Sequence, residues 1–366
     1  MSVLWITGAP GVGKSTVGWA LYEWARERGR AVAYIDIDQL GLMLPAPDDD
    51  PRYHRVEAAN LLEMIAVYSG YGARQIIVSG VVDPHRGIAP YVGGAHGIEF
   101  TLIRLRCEAE ELRRRYLGRG STPERHGELM ALADTLDRSE VGSPLDTTTM
   151  TPNQVVRALS KRIPPGVQDL PSPASAPVEP SLGSRFPILL LAGPTAVGKS
   201  TVGWEILRVL RDRGTPAAFI DVDQFGFLES DLAPEVKADN LIRVWHGYRN
   251  AGAQAMIVVA RGAPHRYQRR LAHEHLTTAY LEASPRMLAD RIARRSRGEG
   301  PRLAGDSLLG ASARQQHRIA LRAAGEATAL HRHSIGSVVI DTDHMTIADV
   351  AAKLAGLLLQ PATLAM

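Results

Sequence analysis

Two eight-residue stretches put glycines, a lysine and a hydroxyl in one order: Gly8-Ala9-Pro10-Gly11-Val12-Gly13-Lys14-Ser15 and Gly193-Pro194-Thr195-Ala196-Val197-Gly198-Lys199-Ser200. Each follows an apolar run and opens a helical segment. In that setting glycines let backbone N–H groups turn towards an anion at a helix N-terminus, where the helix dipole adds favourable potential. Lys14 and Lys199 reach the β- and γ-phosphates of a bound nucleotide, and the hydroxyls of Ser15 and Ser200 ligate magnesium. The cradles comprise Gly8, Gly11, Gly13, Lys14, Ser15 and Thr16, and Gly193, Gly198, Lys199, Ser200 and Thr201. Lysine is otherwise found only at Lys161, Lys237 and Lys353, so its retention in both cradles reads as a chemical requirement.

A second constellation is paired carboxylates. Ile35-Asp36-Ile37-Asp38-Gln39 and Ile220-Asp221-Val222-Asp223-Gln224 set two aspartates just past a strand, with side chains that point roughly the same way. One of each pair can hold the magnesium shell while the other accepts a proton from an attacking hydroxyl; the plainer alternative is loop aspartates capping the next helix. The third strands, Gln75–Ser79 and Ala255–Val259, lack an acidic end of the kind that poises water for hydrolysis.

The elements that must position these groups are written twice. Residues 4–41 and 189–226 align without gaps with about half the pairs identical. The register continues from Val56–Gly72 to Val236–Gly252, through Pro84-His85-Arg86 and Pro264-His265-Arg266, to Leu145-Asp146-Thr147 and Ile340-Asp341-Thr342. Between the copies, residues 164–186 are rich in proline and read as an exposed linker, giving domains over 1–163 and 187–366. In copy one, strands fall at Leu4–Thr7, Ala31–Ile35, Gln75–Ser79 and Phe100–Arg104, with a weak one near Leu145. Helices fall at Ser15–Arg28, Val56–Tyr68, Ala109–Leu117 and Pro152–Lys161. That alternation predicts an α/β fold: two domains, each a parallel sheet covered by helices on both faces, with ligands beyond the carboxyl ends of the strands.

The phosphate loop near the start, the Asp-x-Asp after strand two, the small-residue end of strand three and a later arginine-rich helix together resemble the small-molecule P-loop kinases. That group includes the shikimate, gluconate and adenylylsulfate kinases and chloramphenicol phosphotransferase. Ser79 to Arg86 is similar in style to the segment after strand three in adenylylsulfate kinases. The resemblance implies the P-loop NTPase fold, ATP and Mg2+ as cofactors, and γ-phosphoryl transfer to a hydroxyl of a small molecule. It places Asp36 and Asp221 in the magnesium shell and Asp38 and Asp223 at the acceptor. It also implies a mobile lid whose arginines fold over the phosphates: Arg115 and Arg119 in copy one, Arg291 and Arg295 in copy two, within the runs Arg113–Arg125 and Arg291–Arg302. Asp146-Thr147 and Asp341-Thr342 resemble the loop that contacts adenine in such kinases. The Pro-His-Arg tripeptides either touch substrate or form polar turns. Trp19 and Trp204 read as core residues of the first helices, and Cys107 as an inert buried thiol.

Composition excludes other classes. With 45% apolar and 22% charged residues the chain is globular, and a formal charge of +3 over 366 residues is no nucleic-acid footprint, which disfavours a kinase of nucleic-acid ends. One cysteine, no long apolar run and no leader ahead of the first cradle predict a cytoplasmic protein without a membrane partner. An ATP-binding sensor or scaffold whose two modules pair within the chain is the alternative to an enzyme. Copy one carries an acidic insert, Pro47–Tyr53, and where it has Gly80-Val81-Val82-Asp83 copy two has Ala260-Arg261-Gly262-Ala263, so the two clefts are expected to bind different acceptors.

Overall fold

The computed structural model describes residues 1–93, 97–118, 123–163, 185–228, 233–261, 264–299, 305–306, 308–331 and 338–359. The chain separates into two units, one of Met1–Gly41, His54–Ala176 and Phe227–Val236, the other of Leu42–Tyr53, Pro177–Gly226 and Lys237–Met366. The expected linker lies outside the described residues over 164–184. Residues 42–53 and 227–236 each group with the unit built mainly from the other copy, a departure from the two continuous domains that the sequence suggests.

Copy one contributes strands β1 (Ser2–Thr7), β2 (Val32–Asp36), β3 (Met43–Leu44), β4 (Gln75–Ser79), β5 (Glu99–Arg106) and β6 (Ser143–Asp146). Its helices are α1 (Lys14–Arg26), α2 (His54–Gly70), α3 (Ala89–Val92), α4 (Ala109–Gly118), α5 (His126–Arg138) and α6 (Pro152–Ser160). Copy two contributes β7 (Pro187–Ala192), β8 (Ala217–Asp221), β9 (Ala255–Val259), β10 (His275–Glu282) and β11 (Val338–Asp341). Its helices are α7 (Lys199–Asp212), α8 (Ala233–Asn250), α9 (His265–Arg270), α10 (Pro285–Ser296), α11 (Ala313–His331) and α12 (Ile347–Leu358).

The first sheet runs β2-β4-β1-β5-β6 with every pairing parallel. The second repeats that order as β8-β9-β7-β10-β11 and adds β3, antiparallel, beside β8. Successive residues of a strand face opposite sides of a sheet, so a run in which every residue is buried must be covered on both. Val3, Leu4, Trp5 and Ile6 in β1, and Ile188 to Ala192 in β7, are such runs. Helices supply the cover: α1 packs against α6 and α7 against α12. Capping boxes start the last helix of each copy, Thr151 with Gln154 on α6 and Thr346 with Asp349 on α12, each answering two otherwise orphaned donors.

Two helices, α5 and α11, were not legible as periodic segments. In α5 only Leu129 and Leu136 are buried, and it follows the arginine- and glycine-rich run that reads as a hinge. Trp204 corrects an expectation: it is 41% exposed, in a T-shaped contact with Phe219, because on α7 it falls beyond the stripe carrying Val202, Ile206 and Leu210. Trp19 is half-buried in an aromatic cluster with Tyr22, Tyr34 and Phe227. Cys107 is buried, as expected. No helix among the described residues is long and apolar enough to cross a membrane.

Candidate nucleotide and phosphoryl-transfer sites

Each phosphate loop joins a central strand to a helix N-terminus, β1 to α1 and β7 to α7. The turn demands glycine. At Gly8, where φ is 137°, a Cβ would lie 2.3 Å from the carbonyl oxygen of Leu105; at Gly193 the same atom would lie 2.6 Å from that of Leu281. The loop therefore passes close beside the neighbouring central strand, and any side chain there would push the two apart. Copy two departs at one of the loop glycines. Ala196 holds φ 66° where copy one has Gly11 at φ 92°, a left-handed conformation that costs a side-chain-bearing residue about 1 kcal/mol.

Both loop lysines are buried with their ammonium groups turned into the loop. Lys14 Nζ donates to the carbonyl of Ala9 at 3.1 Å, and Lys199 Nζ to those of Gly193 and Pro194 at 2.8 and 2.9 Å. Burial pulls the Lys199 ammonium down to about 8, against the pull of Asp223. Ser15, Thr16 and Thr201 are exposed at the helix starts and Ser200 is half-buried.

Asp36 and Asp221 end β2 and β8, while Asp38 and Asp223 fall in the single 3-10 turns that follow, so the strand period stops short of the outer carboxylates and each inner aspartate caps its turn. Asp36 accepts from the backbone N–H of Asp38 at 3.3 Å, and Asp221 from that of Asp223 at 3.1 Å. Each inner aspartate also meets the loop hydroxyl: Ser200 Oγ donates to Asp221 Oδ2 at 3.0 Å, and Ser15 supports Asp36 in the same way. Burial, reinforced by the charge of Asp38, pushes the Asp36 carboxyl up to about 7; Asp221 is raised for the same two reasons, burial and Asp223. The structure thus brings together lysine, serine and inner aspartate in each unit, with the outer aspartate two residues on.

Arg115 and Arg291 do one job in the two units. Arg115 Nη1 donates to Val12 O and Thr147 Oγ1 at 3.2 and 3.1 Å, and Nη2 to Thr147 O at 2.7 Å. Arg291 repeats this on Val197 O, Thr342 Oγ1 and Thr342 O at 2.8, 3.0 and 3.0 Å. Each guanidinium ties the phosphate loop to the turn after the last strand, and Glu111 holds Arg115 from behind at 2.6 Å. Sequence spacing matched these arginines only loosely; the shared partners pair Arg115 with Arg291. Arg295 is directed instead to Asp306 at 3.0 Å, and Arg119 lies outside the described residues.

Several residues of the sites carried no signal of their own. In the first unit Asp83 Oδ1 accepts from the backbone N–H of His85 and Arg86 at 2.7 and 3.0 Å, and Oδ2 lies 3.3 Å from buried His54 Nε2. The Pro-His-Arg tripeptide there is a turn knotted by Asp83. In the second unit Thr195 donates through both N–H and Oγ1 to Glu326 Oε2, each at 2.9 Å, so a carboxylate from α11 sits on the phosphate loop. Copy one has Pro10 at that position, with no N–H to give. Asp223 is flanked by Lys237 at 2.7 Å and Arg261 at 3.7 Å.

A family model described as an AAA domain matches residues 4–132, a stretch that includes the first phosphate loop, Asp36, Asp38 and Arg115. No curated protein matches the chain. Among solved structures, the Deinococcus radiodurans tunicamycin resistance protein is 19% identical, covering 44% of this chain and 95% of its own, with a TM-score of 0.36. The shikimate kinase of Bacteroides thetaiotaomicron is 17% identical over 47% of this chain and 97% of its own, with a TM-score of 0.33. A gluconokinase from Sinorhizobium meliloti 1021 is 20% identical over 48% of this chain and 97% of its own, with a TM-score of 0.28.

Proposed function

We propose that the protein is an ATP-dependent small-molecule kinase with two nucleotide sites, each transferring the γ-phosphate of Mg-ATP to a hydroxyl. The observation that carries this reading is the repeated grouping of a buried loop lysine, a loop serine and an inner aspartate, with a second aspartate two residues on. The AAA-domain match over the first phosphate loop supports nucleotide use.

Among the described residues no cluster of three or more His, Cys, Asp or Glu is arranged to hold a metal ion. Mg2+ does not need one, since beside nucleotide phosphates it commonly takes one or two protein oxygens and keeps several waters. The donors present fit that habit: Ser200 Oγ and Asp221 Oδ2 are hard oxygens 3.0 Å apart. Ser15 with Asp36 and Ser200 with Asp221 would hold the ion, whose contribution is charge neutralisation across the β- and γ-phosphates. The chain's own groups do the rest. Lys14 and Lys199 place a cation at the transferring phosphate, and backbone N–H groups at the starts of α1 and α7 fix the phosphate chain. Asp38 or Asp223 takes the proton as the acceptor oxygen bonds to γ-phosphorus and the bond to the β-phosphate oxygen breaks. Arg115 and Arg291 keep the loop at a fixed distance from the turns at Thr147 and Thr342.

The test is ATP binding and acceptor-dependent ADP release. Lys14→Ala and Lys199→Ala should each lower nucleotide stoichiometry from two to one. A stoichiometry of two in both variants refutes the loop assignment, and ATP binding without acceptor-dependent ADP release favours the sensor reading.

A further inference from the structure

The two units carry opposite charge at one place. In the second, Asp223 Oδ1 lies 2.7 Å from Lys237 Nζ and Oδ2 lies 3.7 Å from Arg261 Nε. Lys237 is seated there by packing as well as by charge: its stem lies over Gly226, where an added Cβ would come within 2.4 Å of Lys237 Cγ. Matching Val56 with Val236 puts Glu57 in the place of Lys237, and matching β4 with β9 puts Val81 in the place of Arg261. Among the described residues no cation pairs with Asp38. The second unit therefore sets Lys237 and Arg261 beside Asp223, whereas at those two positions the first has Glu57, which accepts from Tyr91 Oη at 3.1 Å, and Val81.

Two cations on one carboxylate leave a positive charge over, and that surplus can take a second anion. Arg261 is about half exposed, at 54%, so its guanidinium can turn to an incoming group, and its fork suits carboxylate or phosphate oxygens. Lys237, three-quarters buried, offers a fixed point charge beside it.

We propose that the second unit takes an acceptor bearing an anionic group, carboxylate or phosphate, seated on Lys237 and Arg261, while the first takes an acceptor without one. This rests on the kinase reading and assigns Lys237 and Arg261 as specificity-determining residues. Seating the acceptor's anion turns Arg261 away from Asp223 and shares the charge of Lys237 between the two anions. The carboxylate then accepts the hydroxyl proton while the acceptor oxygen bonds to γ-phosphorus and ADP leaves with the electrons of the broken bond.

The full chain is titrated calorimetrically in the presence of a non-hydrolysable ATP analogue with neutral and anionic compounds of matched skeleton: sorbitol and gluconate, adenosine and AMP, glucosamine and glucosamine 6-phosphate. In the Lys14→Ala chain, which keeps only the second nucleotide site, an anionic member should bind at least tenfold tighter than its neutral partner. K237E/R261V, which installs copy one's own residues and so uses side chains this fold already accepts, should weaken that binding about a hundredfold through two lost charged contacts. Lys237→Arg, which keeps the charge, should restore much of it relative to Lys237→Glu. In the Lys199→Ala chain a neutral member should bind tighter than its anionic partner. Equal binding within every pair, no binding of any anionic member, or indifference to K237E/R261V overturns the proposal. Anion binding without ADP release in the matching kinetic assay refutes the kinase reading and leaves the anion site standing. ADP release with neutral acceptors alone does the reverse.

Discussion

Asp36 offers a quantitative test of how the site is built. Its carboxyl sits at about 7 against an ordinary 3.8, because burial penalises the charge and Asp38 adds a second negative charge beside it. An acid raised on folding binds its proton more tightly in the folded chain, so it contributes stability that is fully present below about 4, declines as pH rises, and is gone above about 7. At about 1.4 kcal/mol per pH unit, the contribution lost between pH 5 and pH 7 is about 2 to 3 kcal/mol. For a unit of this size that is roughly 4 to 12 °C in Tm. The assay is thermal unfolding of wild type and Asp36→Asn from pH 5 to 8.5 without nucleotide; subtracting the curves removes the titrating groups that do not interact with Asp36. Wild type should lose stability relative to the variant as pH rises to 7, and then run parallel to it. Mg-ATP should return the lost stability to wild type at pH 8 and much less of it to Asp36→Asn. Asp38→Asn should move the midpoint of the difference downward, since it removes the second cause of the shift. Parallel curves from pH 5 to 8.5 would refute the claim that desolvation and the charge of Asp38 hold the Asp36 carboxyl above its ordinary range.

Two further outcomes follow from the second unit. Arg291→Lys should weaken nucleotide binding at that site about tenfold, because a point charge cannot serve Val197 O and both oxygens of Thr342 at once; calorimetry in the Lys14→Ala background reads this, and unchanged affinity would show the brace to be idle. Glu326→Gln should tighten nucleotide binding there by several-fold or more, since a carboxylate on the Thr195 N–H and hydroxyl competes with phosphate; weaker binding would make Glu326 part of the cradle.

What the sequence disclosed follows the range of the interactions concerned. The phosphate loops, the aspartate pairs and the central strands were legible because each is a local rule: a fixed spacing, a period of two, a turn that only glycine makes. Gly8 and Gly193 are needed because of Leu105 and Leu281 far along the chain, yet the loop pattern announces them. Long-range choices left no such trace. Lys237 lies 14 residues beyond Asp223, and nothing in α8 marks it as the partner of that carboxylate. Glu326 reaches Thr195 across 131 residues. Thr147 and Thr342 carry no spacing that marks them as arginine partners, yet their hydroxyls accept from Arg115 and Arg291 and donate to Arg106 O and Glu282 O. The strand β3 is two residues long, too short to show any periodicity.

That short strand has a counterpart. Phe219 N–H donates to Leu42 O in the second unit, and in the first Tyr34 N–H donates to Phe227 O, at the matching position of the repeat. Each sheet is thus finished at its β2 or β8 margin by residues encoded in the opposite half of the gene. A boundary drawn between the two copies therefore parts each sheet from a segment at its own margin, since residues 42–53 belong with the second unit and residues 227–236 with the first.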